Sequence, residues 1–203
     1  MPSPTKPYND FYKKALIFEG SLALLAQLLG WFAGINPFQY LTFSEPAVLY
    51  GVLGTLPLFM MFLGLQKLQA NSVNAIRDLL LKSLGPVLHR YHWTDLLLLA
   101  TVAGVSEELL FRGLLQPWLE ASWGAAAGLI LSNLVFGLVH AATPLYAVLA
   151  MLVGLFLGMS MDYGVERNLL TPVIIHSLYD FLAFFMLLRG YRASLAQSPN
   201  TTT

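Results

Sequence analysis

Six side chains in this sequence are foreign to the apolar segments that carry them, and together their types could hydrolyse an amide. Glu107, Glu108 and Arg112 interrupt one apolar run, His140 lies within a second, and His176 and Asp180 interrupt a third. A charged side chain at mid-membrane costs about 2.5–3.5 kcal/mol on insertion scales, so each needs a partner or a task. Glu108 and Arg112 stand four residues apart and can meet on one helix face. Glu107 points about 100° away from Glu108, so it must face a polar cavity, take up a proton or meet something cationic. Helical spacing puts Asn133, Phe136 and His140 on one side of their segment, and His176 and Asp180 one turn apart on theirs. His89 and His92 fall in a polar loop and need only solvent.

A glutamate with two histidines admits two chemistries. Glu107, His140 and His176 could ligate zinc and leave a position open for water. Alternatively Glu107 and His140 hold and deprotonate water without a metal, and His176 with Asp180 stabilises the oxyanion. Both end in hydrolysis, so the cofactor is either none or zinc.

The elements that must position these groups are membrane helices. Of 203 residues, 57% are hydrophobic and only 11% charged, against roughly a quarter charged in an ordinary soluble domain. The formal net charge is zero, no basic run occurs and there is no cysteine. Nucleic acid is therefore excluded as a partner, as are disulfides and thiol nucleophiles. A spanning helix needs about twenty apolar residues. The chain offers Gly20–Ile35, Pro46–Gln66, Leu96–Trp118, a long run Ala121–Met161 that breaks into two at Thr143-Pro144, and Asn168–Leu188. The expected fold class is thus all-α, an integral, multi-pass membrane protein of six spans. A cleavable leader is not expected, because the first apolar stretch lacks a small-residue cleavage site.

Basic residues set the expected orientation. Lys6, Lys13, Lys14, Lys67, Arg77, Lys82, Arg90, Arg189 and Arg192 fall on one side of a six-span chain, and only Arg167 on the other. Both termini are expected to be cytoplasmic. Ser72–Leu88 carries Val73, Ile76, Leu80, Leu84 and Val87 at helical period, as a membrane-surface helix or an ordinary loop helix would. The GxxxG pairs Gly124/Gly128 and Gly154/Gly158 read as close-packing positions. Three parts result: an N-terminal part over 1–92 with two spans, a four-span part over 93–190 carrying the chemistry, and a disordered tail over 191–203.

The residues also resemble a known family. Glu107-Glu108-Leu109-Leu110-Phe111-Arg112 matches the EExxxR motif of the CPBP intramembrane proteases, also called the ABI or type II CAAX prenyl endopeptidase family. Phe136-Gly137-Leu138-Val139-His140 matches its FxxxH motif, and His176-Ser177-Leu178-Tyr179-Asp180 resembles its third, a histidine followed four residues later by Asn, Asp or Ser. The resemblance implies an intramembrane endopeptidase acting on a membrane peptide or a lipidated, CAAX-type protein. In it Glu107 is the general base, His140 shares the water, Glu108 and Arg112 support, and His176 with Asp180 polarises the scissile carbonyl. The family's common name, metalloprotease, keeps the zinc reading open. An ionised aspartate only accepts hydrogen bonds, so Asp180 is expected to orient His176.

Two other functions compete with the peptidase: a non-enzymatic scaffold or immunity-type protein of the same fold, and a transporter using intramembrane carboxylates. One feature strains the assembly. If each span starts at its loop, His140 lies near the cytoplasmic end, about 10 Å from the depth of Glu107 and His176.

Overall fold

The structure, a computed structural model, describes residues 6–197, and these are helical throughout, with no strand. In chain order the helices are α1 (Lys6–Ala33), α2 (Glu45–Lys67), α3 (Asn71–Leu88), α4 (Trp93–Glu108), a π-helical segment (Leu109–Leu115), α5 (Gln116–Trp123), α6 (Ala125–Val139), α7 (Pro144–Ser160) and α8 (Leu170–Gln197). Their ends follow from local chemistry. Ser44 accepts from the Ala47 N–H at 3.2 Å and Thr143 from the Tyr146 N–H at 3.1 Å, each just ahead of a first-turn proline. Such caps satisfy N–H groups that have no partner inside the helix, so Thr143-Pro144 starts a helix where the sequence indicated a break. At the junction of α5 and α6 the backbone of Gly124 takes φ 87°, a conformation costly for any residue with a Cβ. Gly124 is therefore a turn residue and not the packing position that the GxxxG spacing suggested.

Burial is inverted relative to a soluble domain. Phe18, Leu24, Trp31, Phe32 and Leu53 face outward. Glu108, Arg112, Gln116, Asn133 and Ser160 are at most 1% exposed. Apolar surroundings suit the first set, and hydrogen bonding inside the bundle suits the second. Stretches of α1, α2 and α8, at Asp10–Ala33, Glu45–Lys67 and Leu170–Ala196, are long and apolar enough to cross a membrane.

The other expected spans are shorter or interrupted. The expected third span is α4 continued through the π-helical segment into α5. The expected fourth and fifth, α6 and α7, have 15 and 17 residues, about 22 and 26 Å against a hydrocarbon core of about 30 Å. They form a hairpin whose connection starts at His140, beside Glu107 at the end of α4. The expected tail over 191–203 is also corrected in part: α8 continues to Gln197, while Ser198–Thr203 lie outside the described residues.

α4 is central, packed against α1 and α8, with α2 on the far side of α8. α3 buries Val73, Ile76 and Leu88 and packs on the later part of α8. At the opposite end Arg167 is clasped by Glu120 and Asp162. Those carboxylates, Glu120 first, hold the Arg167 pKa above its ordinary value. Asn168 donates to the Thr42 carbonyl at 3.0 Å, tying the start of α8 to the loop before α2.

Candidate active site

The EExxxR residues sit where α4 changes its winding. Glu107 and Glu108 end α4, and the next seven residues form the π-helical segment, closed by the Gln116 N–H bonding the Phe111 carbonyl. Such wide turns inside helices recur at functional sites, and this one carries Arg112 inward to complete burial. Arg112 Nη1 donates to Glu108 Oε1 at 3.0 Å. Its Nη2 donates to Asn133 Oδ1 at 2.8 Å and to the Gly154 carbonyl at 2.9 Å. Neither Glu108 nor Arg112 is exposed at all. The expected i,i+4 pair is therefore present and is extended to α6 and α7. Gly154 matters by its smallness, since a Cβ there would lie 2.9 Å from Arg112 Nη2.

Phe136, the first residue of FxxxH, links the motifs. The Arg112 guanidinium lies 4.5 Å from the centre of its ring, and the His140 ring lies 4.4 Å from it on the same helix. Phe111 meets it edge-on at 4.9 Å. A cation over an aromatic face is held electrostatically, so Phe136 anchors the buried arginine and shapes the seat of His140.

His140 is the C-terminal cap of α6. Its Nδ1 lies 2.8 Å from the Phe136 carbonyl, which can only accept, so the proton is on Nδ1. Nε2 is then turned to Glu107, with Oε2 at 3.6 Å. The depth mismatch disappears because α6 is short: it ends at the level of Glu107 and need not reach the far surface.

His176, in the second turn of α8, corrects another expectation. Its Nδ1 lies 2.7 Å from Glu108 Oε1, whereas its Nε2 is 3.6 Å from Asp180 Oδ2, beyond hydrogen-bond reach. Glu108 therefore holds the ring, and Asp180 stands beside it. Glu108 Oε1 thus accepts from two of the motif residues at once. The close approach of α4 and α8 that this needs rests on Gly104, whose absent side chain leaves room for Ser177.

Glu107, His140, His176 and Asp180 all line one cavity of about 410 Å³. Its inner end is polar, and its walls are apolar residues of α2, α3 and α8, among them Phe62, Leu65, Ile76, Leu84 and Leu187. Tyr146 and Tyr179 also line it. The amphipathic α3 is thus a wall of the chamber. Among the described residues no group of three His, Asp or Glu side chains is arranged to hold a metal ion. His140 and His176 each have Nδ1 in a hydrogen bond, to the Phe136 carbonyl and to Glu108, which leaves Nε2 of each for the chamber.

Sequence reasoning missed Glu19. It lies on α1 and lines the same cavity, but in the sequence it only bounds a charge-free stretch. It also missed the Glu108–His176 and Arg112–Asn133 contacts, which join residues 68 and 21 positions apart.

Residues 89–182 match the family model of the type II CAAX prenyl endopeptidase Rce1-like proteins. No curated protein and no solved structure matches the chain. The matched stretch contains all three motifs and every residue of the Glu108–Arg112–His176 network, and it leaves out α1, α2 and α3. Over residues 89–182, a little under half of its length, the chain is similar to the Rce1-like type II CAAX prenyl endopeptidases.

Proposed function

We propose that the protein is a multi-pass intramembrane endopeptidase that hydrolyses a peptide bond of a membrane-associated, prenylated CAAX-type substrate without a metal. The observation carrying this reading is the Glu107 carboxylate, 9% exposed, with Oε2 free of hydrogen bonds and facing the His140 Nε2 across the cavity. A water accepting the two groups' guidance would be held for attack. Glu107 takes its proton as the oxygen bonds to the scissile carbonyl carbon, and the carbonyl electron pair moves onto oxygen. His176, its Nδ1 held by Glu108, donates from a protonated Nε2 to that oxyanion. The carbonyl then re-forms and the C–N bond breaks as Glu107 returns the proton to the leaving nitrogen, giving a carboxylic acid and an amine. The apolar walls of the cavity suit a lipidated segment. The lopsided basic residues support cytoplasmic termini, and tags at Met1 and Thr203 should both be protected, or both exposed, in oriented vesicles.

The test is cleavage of a quenched, prenylated CAAX peptide by purified protein, with and without chelator. Chelator-resistant cleavage that Glu107→Gln abolishes is expected. Loss of activity on chelation with recovery on adding zinc would replace the mechanism, and cleavage indifferent to Glu107→Gln would refute it.

A further inference from the structure

Glu19 is a carboxylate that the proposed hydrolysis does not use. It comes from α1, outside the matched residues 89–182, yet it lines the cavity with Glu107, His140, His176 and Asp180. Its Oε2 is shielded from solvent and has no hydrogen-bond partner. A buried carboxylate oxygen left without a donor is costly, and the cost is recovered when a donor arrives. Helix α1 supplies none, and no ion pair among the described residues includes Glu19.

The surroundings specify which donor would suit. Arg112, the buried cation nearest the motifs, is committed to Glu108, Asn133 and Gly154. Arg77, an arginine on the cavity wall, is tied to Gln66 and Asn74 where α2 meets α3. The chamber therefore presents three carboxylates, Glu19, Glu107 and Asp180, against two histidines, of which His176 is bonded to Glu108 and His140 faces Glu107, and Glu107 likewise leaves a buried oxygen unpartnered. The rest of the wall is apolar. Such a chamber fits a chain that is mostly apolar and carries one positive group.

We propose that Glu19 is a specificity-determining residue that receives a basic side chain of the substrate beside the scissile bond. This deepens the peptidase reading and rests on it for the word substrate. The recognition itself is a binding event and can be measured without turnover.

The probes are apolar decapeptides in which a single lysine, or its uncharged isostere norleucine, is moved from position to position. Binding to the full-length protein in nanodiscs is measured for wild type and Glu19→Gln. Wild type should prefer lysine to norleucine by about tenfold or more at its best position, the effect expected of one charge-assisted hydrogen bond. In Glu19→Gln that ratio should fall to about one. Glu19→Met, better suited to an apolar helix, carries the same expectation should the glutamine variant accumulate poorly. No lysine preference in wild type, or a preference that survives replacement of Glu19, would overturn the assignment. The two readings fail separately. A Glu19-dependent preference alongside cleavage indifferent to Glu107→Gln refutes the hydrolytic role of Glu107 alone. Glu107-dependent cleavage with no lysine preference refutes the role of Glu19 alone.

Discussion

Glu107 and Glu108 are neighbours in sequence and strangers in environment. Glu108 faces the interior of the bundle, where Arg112 and His176 share its Oε1 and nothing is exposed. Glu107, about a third of a turn around the helix, faces a cavity of about 410 Å³ and has a histidine at 3.6 Å as its nearest ionic partner. Each carboxylate keeps one buried oxygen without a partner, but Glu108 Oε1 accepts twice inside the bundle whereas Glu107 faces the chamber. A single helix turn thus divides a sealed network that fixes geometry from an open chamber able to take up water and substrate. The difference predicts that substitutions on the two sides fail in different ways.

The largest effect on turnover is expected on the chamber side. Glu107→Gln removes the proposed general base, worth about 10²–10⁴-fold, while orphaning no neighbour. The variant should accumulate and unfold like wild type yet lose cleavage by that factor. A variant equally depleted in yield would erase the distinction between the two carboxylates.

On the sealed side the loss should be of the fold first. Glu108→Gln leaves the fully buried Arg112 without its counter-charge, a change that costs about 3–5 kcal/mol in buried pairs. Yield and thermal stability in detergent should fall together. Replacing both partners, as in Glu108→Leu with Arg112→Leu, should restore much of the stability, because apolar pairs replace buried ion pairs well. Activity should stay lost, because His176 then has no carboxylate on its Nδ1. Recovery of both properties would mean that the network is structural only.

A smaller stability effect is expected at Gly154. An alanine methyl there would stand 2.9 Å from Arg112 Nη2, so the guanidinium or α7 must shift, at about 1–3 kcal/mol for an overpacked site. Thermal unfolding of Gly154→Ala measures it, and a stability equal to wild type would show that α7 can yield without loss.

What was legible in the sequence follows from the same contrast. Glu107, Glu108, Arg112, His140, His176 and Asp180 stood out because polar side chains are rare and costly in apolar helices, and the i,i+4 pair followed from helical spacing. Contacts between helices did not follow. Periodicity reports which residues share a face, so His176 was matched with Asp180 on its own helix, when its real partner is Glu108 on another. The π-helical segment leaves no mark in a pattern read at 3.6 residues per turn. The depth of His140 was misjudged because each apolar run was given a full span, whereas α6 has 15 residues and ends early. Glu19 looked like a boundary charge, since nothing in its own helix reveals the cavity that it faces.

The smallest effect is expected at Asp180, and it sharpens the comparison most. Were Asp180 the residue that orients His176, Asp180→Asn should cripple the enzyme as Glu108→Gln does. The distances argue otherwise: 2.7 Å from Nδ1 to Glu108 and 3.6 Å from Nε2 to Asp180. Asp180 is also partly open to the chamber, its side chain 24% exposed, so its loss orphans no buried cation. Asparagine keeps the shape and adds an N–H donor, which an oxyanion forming near His176 Nε2 could accept. Asp180→Asn should therefore leave stability near wild type and change kcat by less than about tenfold, within the value of one transition-state hydrogen bond. A kcat loss approaching that of Glu107→Gln, at wild-type stability, would move Asp180 from the edge of the chamber to its chemistry and show that Glu108 alone does not hold His176 in its working position.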